Sequence, residues 1–234
     1  MEKLLGRWPI ATVETLPQVI RDLNIKKYDF LQDPQVLSDW LVSASEKERA
    51  EASRFAPKPM ACRMRLPNDL EGSYFWVEYR DHMTVLVLVQ DMVLLTLEYK
   101  PGVDINRITV VPISGVPSKK DAPEGGESVI ERMNNCVQRE VQEEAGYILK
   151  SFEFLGEVQK ANSSCYRYLG FLEQPLREVP TNRDRLEYMA VVAMSLSDWR
   201  SVCRQGSTEY YCIEALADST TSAAVERLRE LGRL

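Results

Sequence analysis

Short apolar runs through the middle of the chain predict β-strands. The runs are rich in β-branched and aromatic residues, and polar, Gly or Pro positions bound them. Two runs, residues 83–89 and 92–99, are joined by Gln90 and Asp91 and predict a hairpin. The other predicted strands are residues 74–80, 108–113, 152–158, 166–172 and 188–194. The pattern therefore predicts a protein built around a sheet.

Apolar residues spaced three or four positions apart predict helices elsewhere. Residues 13–23 have this spacing, and Asp33 with Pro34 resembles an N-cap followed by proline at the first helical position. The remaining helices are predicted at residues 128–145, at 197–206, and from Asp218 or Ser219 onwards. The order of the elements predicts an α/β fold in which helices cover a mixed sheet.

The N-terminal region differs from the rest of the chain. We predict a helical extension at residues 1–57, which starts with an irregular lead-in at residues 1–12, and a main domain at residues 58–234. Residues 56–72 contain prolines and predict a connector.

An apolar stripe lies on the predicted extension. Leu37, Trp40 and Leu41 are spaced so that they share one helix face. Such a face needs a partner surface, either on the same chain or on a second copy. We therefore expect a homodimer.

Composition and charge exclude several classes of protein. The 234 residues are 44% hydrophobic with a net charge of -6, which argues against binding nucleic acid through bulk positive charge. The apolar runs are too short to span a membrane, and no targeting segment is evident. Five widely spaced cysteines and one histidine argue against a structural zinc site or a Ser-His-Asp site. Reduced cysteines predict a cytoplasmic protein, with organelle import left open.

Three glutamates at the end of the central helix carry the most chemistry. Glu140, Glu143 and Glu144 fall within about 100° of arc on one helix face. They continue the apolar face of the helix, where like charges repel and the helix dipole disfavours them. A hard divalent cation would compensate them. A solvated acidic helix end is the alternative.

Residues around these glutamates complete a recognisable pattern. Ser128 with Glu131 predicts an N-terminal capping box, and Gly146 predicts the C-cap. The spacing of Gly125, Glu131, Arg139, Glu140, Glu143, Glu144 and Gly146 resembles the Nudix box of the Nudix hydrolase superfamily. Residues 97–103, 111–115, 155–158 and 206–225 are similar to its ADP-ribose pyrophosphatase-like branch.

This resemblance implies a Nudix-type α/β/α sandwich and a chemistry. The implied reaction is hydrolysis, dependent on Mg²⁺ or Mn²⁺, of a nucleoside diphosphate linked to another moiety. We assign Glu140 and Glu144 as metal ligands, and Glu143 as a further ligand or a base acting on water. Arg139 is expected to pair with Glu131. Glu187, with Asp184 behind it, is the candidate remote carboxylate.

Substrate contacts are less well marked. Arg80, Lys100 and Arg107 are candidate phosphate contacts, and Tyr99 is a candidate for stacking on a base, with Phe75, Trp76 and Tyr79 as alternatives. Lys100 stands where the branch has an arginine, and Val111 where it has a glutamate. These departures weaken any inference about which substrate is bound.

Two ambiguities concern the loop before the helix. The loop is about ten residues longer than the family pattern when counted from Gly115, so Gly115 competes with Gly125 for the role of the box glycine. Lys119 and Lys120 lie in this loop, which we expect to be exposed and to contact substrate phosphates or to be a surface insertion.

Two functions remain open from sequence. One is a pyrophosphohydrolase acting on an ADP-ribose-like or ADP-sugar-like compound. The other is a Nudix domain that acts on or binds nucleotides or RNA 5′ ends, as a weakly catalytic subunit of a larger complex. The intact run of Arg139, Glu140, Glu143 and Glu144 favours the enzyme, because a binding module does not need carboxylates that repel one another.

Overall fold

A computed structural model provides the fold. It describes residues 4–27, 36–55, 58–65, 71–100, 103–122, 128–160, 163–172 and 189–234. The chain divides into two compact units. The first consists of Met1–Tyr28, Asp81–Val158 and Cys165–Leu234, and the second of Asp29–Arg80 and Gln159–Ser164.

The secondary structure is mixed in chain order. The strands are β1 Leu4–Leu5, β2 Trp8–Ala11, β3 Lys58–Arg65, β4 Glu71–Glu78, β5 His82–Val89, β6 Met92–Lys100, β7 Asp104–Gly115, β8 Leu149–Lys160, β9 Ser163–Leu172, β10 Met189–Ser195 and β11 Tyr211–Ile213. The helices are α1 Leu16–Leu23, α2 Leu37–Ser43, α3 Glu46–Phe55, α4 Val129–Glu140, α5 Leu196–Gln205 and α6 Ala215–Glu230. A 3₁₀ turn at Lys119–Asp121 precedes α4, and a π turn at Val141–Ala145 follows it.

The first unit contains a mixed sheet. Within the described residues, nine strands form it in the order β1-β2-β10-β6-β7-β5-β9-β8, with β11 paired to β7. The pairs β2–β10, β5–β9 and β7–β11 are parallel, whereas β5, β6 and β7 pair antiparallel with one another. The predicted α/β fold with a mixed sheet is confirmed.

Helices cover both faces of this sheet, because its strands are apolar on both sides. Successive residues of β5 alternate between two cores: Leu86 and Leu88 belong to one, Val85 and Val87 to the other. The first core includes side chains of α1, α5 and α6, and the second includes those of α4 and its π turn. The result is a helix–sheet–helix arrangement with two hydrophobic cores.

The sequence predicted which elements are present more accurately than where each element begins and ends. The predicted hairpin is present, with Gln90 at a positive φ of 57° in its turn. The predicted connector is partly wrong, because residues 58–65 form β3 and pair with β4. The last helix begins at Ala215 rather than at Asp218 or Ser219, and α5 is capped by Ser195. Asp33 and Pro34 lie outside the described residues.

The N-terminal segment is part of the sheet, and the predicted irregular lead-in is wrong. β2 pairs in parallel with β10, with Ile10 opposite Ala193 and Ala11 opposite Met194. Ala11 is 1% exposed. The strand is only four residues long and contains Pro9, so its own sequence carries a weak strand signal.

The predicted boundary after residue 57 differs from the division into two units, because residues 1–28 belong to the unit that contains the sheet. In the second unit, Leu37, Leu41 and Met60 line a groove of about 750 Å³, and Val42 beside them is 82% exposed. The homodimer remains a prediction. None of the helices described is both long and apolar enough to cross a membrane.

Deletion of the N-terminal strand tests its place in the sheet. A chain that starts at Thr12 loses β2 and the apolar contacts of Trp8 and Ile10 with the α4-side core. We expect the free energy of unfolding to fall by at least about 3 kcal/mol, measured by urea denaturation. A chain that lacks only residues 1–3 is the control and should unfold like the wild type. Equal stability of all three proteins would show that β2 does not contribute.

Candidate functional site

The helix that carries the glutamates begins and ends as its sequence predicts. The Ser128 hydroxyl accepts from the Glu131 N–H at 3.3 Å, which is one half of the predicted capping box. Met133, Cys136 and Val137 are buried in the α4-side core. At the other end, Gly146 has φ 71° and ψ 34°, and its N–H donates to the Gln142 carbonyl at 3.0 Å. A residue with a Cβ adopts this left-handed conformation only at a cost, which explains the glycine.

The three glutamates span the change from α-helix to π turn. Glu140 ends α4, and Glu143 and Glu144 lie in the π turn. Glu140 is 8% and Glu144 5% exposed, whereas Glu143 is only partly buried. A single π turn inside a helix often marks a functional site. Glu140 and Glu144 thus share the buried side of the turn, and Glu143 lies at its rim.

Arg139 is the centre of the charge network. Its Nε and Nη2 donate to the two carboxylate oxygens of Asp121 at 2.8 and 3.0 Å. Its Nη1 lies 2.8 Å from Glu140 Oε1 and donates to Glu143 Oε2 at 2.8 Å. Nη2 also reaches the Val116 carbonyl at 3.4 Å. One guanidinium therefore joins the loop before the helix to the acidic turn.

The partner of Arg139 is Asp121, and the predicted pair with Glu131 is wrong. Glu131 is exposed, and Arg139 makes its ion pairs with Asp121, Glu140 and Glu143. Asp121 is 1% exposed and accepts a further bond from the Ser118 N–H at 2.6 Å. Asn135 donates to the Asp121 carbonyl, so the 3₁₀ turn is fixed to α4 at a second point.

Of the two candidate glycines, Gly115 lies within the described residues, at the end of β7. A Cβ at Gly115 would collide with the Glu140 side chain, so only glycine lets the end of β7 lie so close to this carboxylate. Gly125 lies outside the described residues. The signal was available in the sequence, since Gly115 and Asp121 have the same spacing as Gly125 and Glu131. Asp121 thus precedes Glu131 by ten positions, as Gly115 precedes Gly125.

The network shifts the pKa values of Asp121, Arg139 and Cys136. Burial alone would raise the pKa of Asp121, but the hydrogen bonds from Arg139 and Ser118, with the charge of Arg139, hold it below its ordinary value. Burial would lower the pKa of Arg139, and its carboxylate partners raise it instead. Burial, then the charge of Glu140, raises the pKa of the Cys136 thiol. Asp121 and Arg139 are therefore both charged at neutral pH, and Cys136 is a neutral thiol.

The predicted substrate contacts do not gather at the glutamates. Lys100 lies 3.2 Å from both Glu98 and Glu214, and these carboxylates raise its pKa although burial alone would lower it. In the β6–β7 register, Lys100 lies opposite Asp104, which is at the other end of β7 from Gly115. Arg107 bonds Asp104 at 2.7 Å and the Thr208 carbonyl at 2.8 Å.

The remaining candidates are dispersed. Tyr99 packs against the core on the sheet face opposite α4. Arg80 and Tyr79 are exposed, and Arg80 belongs to the second unit. Phe75 and Trp76 are in β4, and Glu187 and Asp184 lie outside the described residues. Lys119 and Lys120 are exposed on the 3₁₀ turn that ends at Asp121.

The carboxylates fit a divalent cation in chemistry but do not surround one. Among the residues the structure describes, no three His, Cys, Asp or Glu side chains form a group that could hold a metal ion. Arg139 Nη1 lies instead between Glu140 Oε1 and Glu143 Oε2. However, one guanidinium faces three carboxylates in this network, and carboxylate oxygens are the ligands that Mg²⁺ prefers. The donor set therefore suits a divalent cation that competes with Arg139 for these oxygens.

Comparison with known proteins supports the fold alone. No protein-family model matches the chain, and no curated protein matches it in sequence. Among solved structures, the chain is similar to one described as an ADP compounds hydrolase, with 18% sequence identity and a TM-score of 0.60. The match covers 90% of this chain and 98% of the other.

Separate replacement of Asp121 and Glu131 distinguishes the Asp121–Arg139 pair of the structure from the Glu131–Arg139 pair predicted from the sequence. Asp121→Asn removes the charge of the most deeply buried carboxylate that pairs with Arg139, and we expect the free energy of unfolding to fall by about 3 kcal/mol. Glu131→Gln, the matched control, removes an exposed carboxylate and should change it by less than about 0.5 kcal/mol. Urea denaturation measures both. A larger loss in Glu131→Gln than in Asp121→Asn would contradict the Asp121–Arg139 pair.

The Asp121–Arg139 pair should also fail in acid. Because the pKa of Asp121 is lower in the folded than in the unfolded chain, its stabilisation is complete above the unfolded pKa and is lost as pH falls through the folded one. The stability difference between wild type and Asp121→Asn should be constant from about pH 7 to pH 5 and shrink below about pH 4. Denaturation series across this range test it. A difference that persists unchanged to about pH 2 would rule out the charged carboxylate as its source.

Proposed function

We propose that the chain is a Nudix-type pyrophosphohydrolase that uses Mg²⁺ or Mn²⁺ to cleave a nucleoside diphosphate linked to another moiety, such as an ADP-ribose-like or ADP-sugar-like compound. The observation that carries the proposal is the pair of buried carboxylates, Glu140 and Glu144, beside an arginine tied to Asp121. Two buried carboxylates one helical turn apart repel each other, and a bound divalent cation would offset that repulsion. The likeness in fold to an ADP compounds hydrolase supports a hydrolase of nucleotide derivatives.

The chain's own residues divide the work in this proposal. A bound divalent cation would neutralise phosphate oxygens and lower the pKa of a bound water. Glu140 and Glu144 would hold it, and Glu143, at the rim, would accept a proton from the attacking water or serve as a third ligand. Arg139 is a positioning residue, since it bonds Glu140 and Glu143. Glu187, or Asp184, remains the proposed remote carboxylate.

Two of the proposed phosphate contacts, Lys100 and Arg107, are already paired with carboxylates. A phosphate at Lys100 would compete with Glu98 and Glu214, and one at Arg107 with Asp104. Arg80 and Tyr99 remain predicted contacts with phosphate and base. Lys119 and Lys120 are exposed on the turn that Asp121 ties to Arg139, so they suit a phosphate chain near the glutamates.

A second candidate function is binding without efficient hydrolysis. Arg139 Nη1 occupies the space between Glu140 and Glu143, and this favours a domain that binds a nucleotide or an RNA 5′ end as a subunit of a larger complex. A panel of ADP-ribose, NAD, NADH, dinucleoside polyphosphates, nucleoside triphosphates and 5′-triphosphorylated RNA, each with Mg²⁺, separates the two. Turnover of one compound supports the enzyme, and saturable binding with no turnover supports the second function.

Glu144→Gln tests the proposed chemistry. The change preserves shape and removes one charge from the crowded face, so the melting temperature should stay close to that of the wild type. We expect kcat on the best substrate of the panel to fall about 100-fold or more, and chelation of divalent cations to abolish wild-type turnover. Glu131→Gln is the control, because it removes an exposed carboxylate of the same helix. Equal kcat in wild type and Glu144→Gln would reject the assignment.

A further inference from the structure

Two side chains from the N-terminal segment hold the end of the glutamate turn. Arg7 Nη2 and Trp8 Nε1 both donate to the Ala145 carbonyl oxygen, at 3.0 and 3.1 Å. Ala145 directly follows Glu144 and ends the π turn, where carbonyls have no partner within the helix. One carbonyl at the end of the acidic turn is therefore bonded to two donors more than 130 positions away in sequence.

These two donors are themselves fixed. The Arg7 guanidinium lies 4.9 Å from the Trp8 ring centroid and 5.6 Å from that of Tyr147, which is 1% exposed. The backbone N–H of Arg7 donates to the Tyr147 hydroxyl at 3.4 Å. Trp8 begins β2, which the sheet holds through its parallel pairing with β10. The position of the two donors is thus set by the pairing of β2 with β10 and by the contacts of Arg7 with Tyr147.

The contact also has the charge that this helix end needs. A helix C-terminus carries partial negative charge, so Glu143 and Glu144 are unfavourable there and a cation is favourable. The Arg7 guanidinium supplies a positive charge on the last carbonyl of the turn. Without it, the helix end would fray more readily, and the side chains of Glu143 and Glu144 would lose their orientation.

We propose that Arg7 and Trp8 are positioning residues that hold the π turn so that Glu143 and Glu144 face a bound divalent cation. The role toward the metal rests on the proposed function, whereas the hold on the turn does not. Separate measurements therefore test the two roles.

The experiment compares Trp8→Phe, Arg7→Met and Arg7→Lys with a matched control, Trp199→Phe. Trp8→Phe keeps an aromatic ring at this position and removes the donor N–H together with part of the indole, and Trp199→Phe makes the same change in the control. Trp199 is fully buried in the opposite core and donates to the Thr221 hydroxyl at 2.7 Å, so Trp199→Phe removes a comparable bond far from the turn. Arg7→Lys keeps the charge and a donor and should restore part of what Arg7→Met loses.

Three quantities are measured on the full-length chain. They are amide hydrogen exchange of residues 142–146 without metal, Mn²⁺ affinity by electron paramagnetic resonance, and kcat and KM with ADP-ribose. In Trp8→Phe and Arg7→Met we expect about three- to tenfold faster exchange in the turn and about three- to tenfold weaker Mn²⁺ binding. We expect kcat to fall by about the same factor, with KM within about twofold.

The control gives the contrast. Trp199→Phe should lower the melting temperature and leave turn exchange, Mn²⁺ affinity and kcat unchanged. If Trp8→Phe behaves in the same way, the residue is merely structural and the proposal is overturned. If the wild-type chain binds no Mn²⁺ and hydrolyses no substrate, the proposed function fails, and the metal-facing role fails with it. Turn exchange then decides whether Arg7 and Trp8 hold the turn.

Discussion

One guanidinium constrains how the acidic turn can fold. Arg139 bonds Asp121 through two nitrogens and reaches Glu140 and Glu143 through the third, so its planar geometry fixes three carboxylates relative to one another. Lysine carries the same charge but cannot form this fork. Because Asp121 and Glu140 are both buried, each needs a charged partner, and the fold of the 3₁₀ turn depends on meeting that need.

The sheet places this network where two apolar surfaces meet. Met133, Cys136 and Val137 pack α4 onto the strands, which brings Glu140 against the end of β7. Gly115 ends that strand, and its missing side chain leaves space for the Glu140 carboxylate. Packing of the apolar face thus decides where the charged face lies, and the charged face in turn excludes any larger residue from position 115.

The distribution of charged residues separates chemistry from support. Lys100 and Arg107 lie toward the other end of β7, where their charges are matched by Glu98, Glu214 and Asp104. Among the described residues, two arginines contact the turn: Arg139, from within the helix, and Arg7, from the turn between β1 and β2. An acidic turn supported at both ends in this way can remain ordered despite its internal repulsion.

The sequence by itself determined the local structure around the glutamates and at the hairpin. The spacing of Glu140, Glu143 and Glu144, the apolar face of α4, the cap residues Ser128 and Gly146, and the hairpin at Gln90 all follow from local periodicity and backbone preference. For this reason the fold class and the acidic helix were predictable.

Only the tertiary structure decided which distant residues complete the site. Sequence spacing offered Glu131 for Arg139, and Asp121 is the partner because the 3₁₀ turn folds back onto the helix from 18 positions away. β2 is too short to be predicted from its own sequence. Arg7 and Trp8 contact Ala145 only because the sheet pairs β2 with β10. Two acidic residues, Asp121 and Glu131, each follow a glycine by six positions. Burial and ion pairing in three dimensions decide which of them binds Arg139, and the sequence pattern does not contain that information.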